Sequence, residues 1–251
     1  MSESILILGA NSAIAEATAR FFCKDQASFV LVARNQQQLG LNKEDLLVRG
    51  AKQVDTYSCD FSDFEAIKEL HKTLSPHFPF DRILIAYGQL SDEKKCAIEE
   101  SAIIENYSLN LISPILLLRP IVENLLATQK NTQSPGAQIA VISSVAGDRG
   151  RASNLYYGSA KAGLSAFLSG LRAKLHGTGI NVLTIKPGFV DTPMTAHLPK
   201  NFLFASPTYV GQQIYIAMKK RKHILYTPSL WRWIMLAIKL LPEKIFVKIK
   251  V

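Results

Sequence analysis

What the chain lacks narrows its chemistry before any motif is read. It holds only three cysteines, Cys23, Cys59 and Cys96, far apart and odd in number, so neither a disulfide framework nor a C-x-x-C redox pair is expected. Each reads instead as a small buried hydrophobe. The five histidines follow no Cys/His ligand spacing, and no metal site is expected. Internal repeats, low-complexity tracts and long linkers are absent, which argues against repeat arrays and disordered modules. Met1-Ser2-Glu3 passes straight into the apolar run Ile5-Leu6-Ile7-Leu8 with no charged n-region, so the reading is a cytoplasmic protein in a reducing compartment rather than a secreted one. Acid is scarce at one end only. From Ile216 to Val251 the single acid Glu243 faces nine basic residues, and this stretch carries nearly all of the net charge of +9. Such a surface attracts nucleic acid, anionic lipid or anionic substrates, and no nucleic-acid motif accompanies it.

What is there is the pattern of one globular domain: 251 residues, 48% hydrophobic and 20% charged. Near-continuous apolar runs predict strands at Ile5–Leu8, Phe29–Ala33, Gln53–Ser58, Arg82–Tyr87, Gln138–Ser143, Asn181–Lys186 and His223–Tyr226. Helix-like stretches alternate with them. The expectation is an α/β doubly wound, Rossmann-like fold, a seven-stranded parallel sheet with helices on both faces. Residues 1–229 are expected to form a single Rossmann-like domain, 230–251 a basic and apolar tail, and Lys130 to Gly136 a loop.

The first strand–helix turn, Leu8-Gly9-Ala10-Asn11-Ser12-Ala13-Ile14-Ala15, sits where such a fold binds a dinucleotide pyrophosphate on a helix N-terminus. Gly9, Asn11, Ser12 and Ile14 are the candidates there; Ala13 and Ala15 replace the other two glycines of the usual fingerprint. Arg34 ends the second strand where an acid would bind ribose hydroxyls, which suits a 2′-phosphate and favours NADP(H) over NAD(H). Asp60 and Phe61 end the third strand, with Asp60 placed for the adenine edge, and Ser62-Asp63-Phe64-Glu65 reads as a capping box. Ala86-Tyr87-Gly88 ends the fourth strand, and Pro187, Gly188, Val190 and Thr192 follow the sixth, with the Thr192 hydroxyl in reach of a cofactor amide. A long helical stretch, Glu99 to Thr128, contains Asn110. Finally, Tyr157 and Lys161 stand four apart on one helix face, just after a strand that ends in serine. An ammonium beside a phenol favours the phenolate, and so brings the tyrosine toward acid–base work near neutral pH.

These residues in this order resemble the short-chain dehydrogenase/reductase family over nearly the whole chain. The resemblance selects Ser144 over Ser143 and Tyr157 over Tyr156, because Ser144 precedes Tyr157 by the family's thirteen residues and Tyr157 precedes Lys161 by four. It implies that Tyr157 protonates a carbonyl oxygen, that Lys161 lowers its pKa and holds the nicotinamide ribose, that Ser144 polarises the carbonyl, and that Asn110 organises a proton-relay water. A narrower resemblance, to reductases of decaprenylphosphoryl-2-keto-ribose, rests on Ala86–Leu90, Ser143–Asn154, Met194–His197 and the surroundings of Trp231. It implies a polyprenyl-phosphate-linked keto-sugar as substrate. The alternatives are a soluble reductase of acyl, steroid-like or xenobiotic ketones and, from another class, a non-catalytic NADP(H)-binding sensor, which would have no use for the proton-transfer set. The family also implies a homodimer or homotetramer. In the tail, Leu230–Leu241 carries only Arg232 and Lys239 before Pro242 stops it, too short to span a bilayer. It reads as a lid, an oligomer contact or a helix lying on an anionic membrane surface, which would make the protein peripheral on the inner face.

Overall fold

The computed structural model describes residues 2–129, 136–196 and 198–249. Most of the expected loop at Lys130 to Gly136, and His197, lie outside the described residues. Seven strands, β1 (Ser4–Leu8), β2 (Ser28–Ala33), β3 (Gln53–Ser58), β4 (Arg82–Ile85), β5 (Gln138–Ile142), β6 (Asn181–Pro187) and β7 (Ile224–Thr227), form one sheet in the order β3-β2-β1-β4-β5-β6-β7. Every pairing is parallel. The order reverses between β1 and β4, the position where an open α/β sheet leaves a crevice at its carboxyl edge.

Parallel strands need crossovers, and the helices supply them on both faces. Because side chains alternate along a strand, Ile5 and Ile7 of β1 face one layer and Leu6 and Leu8 the other. The first layer packs α1 (Ala13–Phe22), α2 (Gln36–Val48) and α8 (Pro207–Lys219) through Phe22, Leu39, Ile214 and Met218. The second packs α3 (Phe64–Leu74), α6 (Ser113–Gln129) and α7 (Leu155–Lys174) through Leu70, Leu118, Ile121, Leu164 and Leu168. Burial of one such leucine or isoleucine is worth about 1.5–3 kcal/mol, which is why apolar runs on strands and helices settle the architecture. Two short helices, α4 (Glu93–Cys96) and α5 (Glu100–Tyr107), lie between β4 and α6, and α9 (Leu230–Leu240) with α10 (Glu243–Phe246) completes the chain.

Three local readings change. The stretch expected as one helix from Glu99 to Thr128 is α5 and α6 joined by a π-helical turn, Ser108–Ile112, with Asn110 at its centre. By length and composition this run could cross a membrane, but Leu117, Leu118, Ile121 and Leu125 are buried against the sheet. The cap of α3 is Asp63, whose carboxylate accepts from Glu65 N (2.9 Å) and Ala66 N (3.2 Å). Ser62 is not the cap, because its hydroxyl donates to Asp60 Oδ1 at 2.7 Å, and a carboxylate answers a helix N-terminus better than a neutral hydroxyl. β4 stops at Ile85, short of the expected Tyr87, and the chain then leaves the sheet as the loop that holds Gly88.

Candidate active site

The sheet order gathers the candidate residues along one edge. Gly9 follows β1, Arg34 follows β2, Asp60 follows β3, Ala86 to Gly88 follow β4, Ser143 and Ser144 follow β5, and Gly188 follows β6.

On the β1–β3 side the geometry is that of a dinucleotide cradle. Gly9 has φ +89°, and a β-carbon there would sit 2.6 Å from Tyr87 N, so only glycine lets the two turns pass. Ser12 precedes α1 without capping it through its side chain, and Ile14 is buried in the first turn. The amides of that first turn have no side-chain acceptor and suit a pyrophosphate. Asn11 is spent on structure: it donates to Asn35 O (2.9 Å) and accepts from Asn42 Nδ2 (3.1 Å). Arg34 is exposed and forms no ion pair within 4 Å among the described residues, so its guanidinium is open to an anion. Asp60 is held below the usual carboxylate range by hydrogen bonds from Ser62 and by nearby Arg34. The rings of Phe61 and Tyr87 stack on each other at 4.1 Å, and the Tyr87 hydroxyl bonds Ser113 Oγ at 2.8 Å, with burial pushing that phenol up. Their rings pack on each other, which leaves their backbone groups at the sheet edge.

On the β4–β6 side the reactive groups converge. Ser143 is buried and bonds Lys161 O (3.1 Å) and Ser165 Oγ (2.8 Å), tying β5 to α7. The hydroxyl of Ser144 instead accepts from Ala146 N (3.0 Å) and interacts with the Tyr157 phenol. Lys161 is 3% exposed; its ammonium reaches Ile142 O at 3.3 Å and stands 5.7 Å from the Tyr157 ring centroid. Gly88 fits between partners: a β-carbon there would lie 2.8 Å from Asn110 Oδ1 and 3.1 Å from Lys161 Nζ. Ser144, Tyr157, Lys161 and Asn110 are thus brought together.

Electrostatics departs from expectation. Burial pushes the Tyr157 phenol up to about 12, with Ser144 pulling the other way, and pushes Lys161 down to about 8. The lysine therefore does not bring the phenol toward neutrality here. Taking each group out of water penalises its charged form, which raises the phenol and lowers the ammonium. At neutral pH Tyr157 is a protonated acid, the form needed to give a proton to a carbonyl oxygen.

Asn110 clamps a loop as well as facing the site. Its Oδ1 accepts from Gln89 N (3.2 Å), and its Nδ2 donates to Gln89 O (2.9 Å) and Asn106 Oδ1 (2.8 Å). The π turn gives this side chain its aim, as such turns often do at functional sites. Behind it lies a hollow of about 80 Å³ lined by Gln89, Ser91, Asn106 and Asn110, with room for the relay water implied by the resemblance.

Several contributors were missed. Glu93, in α4, accepts from Tyr156 N (3.2 Å) and Tyr157 N (3.3 Å), so a carboxylate sits on the N-terminus of the helix that carries Tyr157 and Lys161. Sixty-odd residues separate the partners, and no local signal links them. Trp231, 5% exposed, lies against the turn after β6: a β-carbon on Gly188 would fall 1.8 Å from its Nε1. With Met235 and Val145 it forms a small core beside the site. Asp148 pairs with Lys186 and accepts from Tyr226 OH (2.7 Å), while Arg149 donates to Ile238 O (2.6 Å), Leu241 O (2.7 Å) and Glu243 (2.7 Å), holding the end of α9. Pro187 is buried, Val190 bridges Ala205, and Thr192 opens a turn in which Thr195 Oγ1 donates to Val190 O (2.5 Å). Among the described residues no group of three His, Cys, Asp or Glu could hold a metal.

Comparison with known proteins now decides the family. The profile of the short chain dehydrogenase family matches residues 3–202. The chain belongs to that family. It is an NAD(P)-dependent oxidoreductase. An uncharacterized oxidoreductase of Mycobacterium tuberculosis is 33% identical over 240 residues, covering 95% of this chain and 94% of that protein. One of Streptomyces coelicolor is 30% identical over 248 residues, covering 97% and 94%. In fold the chain is similar to a short-chain dehydrogenase from Sphingobium yanoikuyae in complex with NADPH, with TM-score 0.82, 19% identity, and 94% and 92% of the two chains covered. It is similar also to an alcohol dehydrogenase from Thermococcus sibiricus complexed with 5-hydroxy-NADP, at TM-score 0.76, 20% identity, and coverage of 90% and 96%.

Proposed function

We propose that this short-chain dehydrogenase is an NADP(H)-dependent carbonyl reductase whose substrate is an anionic ketone, with a polyprenyl-phosphate-linked keto-sugar as the favoured member of that class. The observation that carries the reaction is the protonated, buried Tyr157 beside Ser144 and Lys161. The cofactor, when bound, supplies the hydride. Ser144 holds the substrate oxygen, and Tyr157 gives that oxygen its proton. Lys161 and Asn110, which both lie against Gly88, would hold the nicotinamide ribose and a water that returns a proton to the phenol, respectively. Arg34, exposed and in no ion pair among the described residues, would meet a 2′-phosphate, which supports NADP(H) over NAD(H).

Arg151 supports the anionic substrate. It lies in the loop between Ser144 and Tyr157, partly buried, its Nε without a partner and its guanidinium in no ion pair within 4 Å among the described residues. Nearby Asp148 is already engaged by Lys186 and Tyr226. A buried donor left unpaired is costly, and a substrate phosphate would satisfy it. The three free cysteines are buried, which supports a cytoplasmic enzyme. Assembly as a homodimer or homotetramer belongs to the same proposal; Ile104, Ile112 and Leu116 stand exposed along the α5–α6 run and offer a second copy an apolar face.

The test is NADPH oxidation with a panel of neutral ketones and phosphorylated keto-sugars, polyprenyl phosphates included. The expected result is turnover with NADPH, highest on the phosphorylated compounds, and a KM raised for these alone by Arg151→Gln. Preference for neutral ketones, with Arg151→Gln silent, would favour a soluble reductase of acyl, steroid-like or xenobiotic ketones. NADPH binding with no turnover on any of them would leave a sensor.

A further inference from the structure

We propose that the outer face of α9, together with the exposed Ile245, Val247 and Ile249 that follow it in the chain, is a docking surface for an anionic lipid bilayer and sets the reaction side of the sheet edge against the membrane. At about 100° per residue, Ile234, Ile238, Trp231 and Met235 fall on one side of α9. That side is the one packed beside the turn after β6 and the Ser144 loop. Leu236, Leu240, Trp233, Ala237 and Leu230 fall on the opposite arc and meet solvent, with Trp233 63% and Leu240 74% exposed. An apolar helix arc is normally buried, so the outer one of the two on this helix lacks its partner.

Charge identifies the partner. Arg232 and Lys239 border the apolar arc, and Lys244 and Lys248 follow in the next turns, all exposed. The one acid of the segment, Glu243, is paired with Arg149. Two copies of this face in contact would oppose eight cations with no free acid between them, which disfavours self-association. Nucleic acid suits the cations but leaves Trp233, Leu236 and Leu240 in water. An anionic bilayer accepts both, the apolar arc among the acyl chains and the cations at the headgroups. With 11 residues α9 is about 16 Å long, a length that lies in the interface and cannot cross it. Because the inner face of the same helix walls the site, docking brings the site to the surface from which a lipid-borne substrate would arrive. The proposal stands apart from the catalytic reading: an inactive protein that binds vesicles leaves it intact.

The test is flotation of the full-length protein with phosphatidylcholine vesicles, with or without a quarter of phosphatidylglycerol, at low and high salt. Binding is expected with the anionic vesicles at low salt, and loss is expected with neutral vesicles or at high salt. Lys244→Gln with Lys248→Gln should weaken it about 25-fold, since each surface cation is worth roughly fivefold. Trp233→Asp with Leu240→Asp should abolish flotation yet keep thermal stability and NADPH oxidation of a soluble ketone, because both side chains are exposed. Failure of the native protein to float at low salt, or undiminished flotation of the aspartate variant, overturns the proposal. So does light scattering that shows a native dimer dissociated by the aspartate pair, which would make this face a contact between copies.

Discussion

The two halves of the sheet edge do their work by opposite means. On the β1–β3 side the candidate groups are backbone and surface: the Gly9 turn, the uncapped start of α1, and exposed Arg34 and Asp60. On the β4–β6 side they are withdrawn from water, and burial is the largest effect on both Tyr157 and Lys161, moving them in opposite directions. The contrast suits the tasks proposed for the two halves. A dinucleotide is held by many modest contacts that tolerate solvent, whereas proton transfer needs one acid in a defined protonation state, and a low dielectric sets that state. Trp231 and Met235, in a small core of their own, and Arg149, which holds the end of α9, lie beside the second half.

The largest expected effect lies on the buried side. Tyr157→Phe should lower kcat by roughly 10²–10⁴ with NADPH binding unchanged, while Tyr156→Phe stays near wild type. A dead Tyr156→Phe would mean the register of the site is wrong. On the other side, Gly9→Ala places a β-carbon 2.6 Å from Tyr87 N at φ +89°. A loss of about 1–3 kcal/mol in denaturant unfolding and weaker cofactor binding should follow, and an unchanged protein would show that the two turns can separate.

Much of this contrast was legible in the sequence, and unevenly. The strands stood out because doubly buried strands are almost pure Ile, Val and Leu, as Ile5–Leu8 and Val182–Ile185 are. The pair Tyr157 and Lys161 was visible because one helix turn fixes their relation. Partners made only by folding were not: Glu93 on the amides of Tyr156 and Tyr157, or Trp231 on Gly188. The pKa direction of Tyr157 was misjudged for a related reason. Spacing shows which charge is near, but burial is a property of the whole fold, and here burial is the larger effect.

Smaller effects sharpen the comparison. Arg34→Ala should weaken NADPH about tenfold and leave NADH nearly unchanged, which fluorescence titration of both cofactors would show; equal losses would remove Arg34 from the 2′-phosphate site. The pH dependence of stability has a definite sign. Lys161 sits near 8 in the folded protein against an ordinary value of 10.5. Between those values the unfolded chain holds a proton that the folded chain has released, so this group's contribution to stability rises with pH. Relative to Lys161→Met, wild type should gain on the order of 1–3 kcal/mol across that window in urea unfolding. A flat difference would mean that Lys161 is not desolvated.

The separation of the halves is tested most directly by a double-mutant cycle of Arg34→Ala and Tyr157→Phe on kcat/KM for NADPH. Independent sites should give additive losses, within about 0.5 kcal/mol. A coupling of several times that size would contradict the division of labour, because it would mean that the 2′-phosphate contact sets the geometry in which Tyr157 delivers its proton.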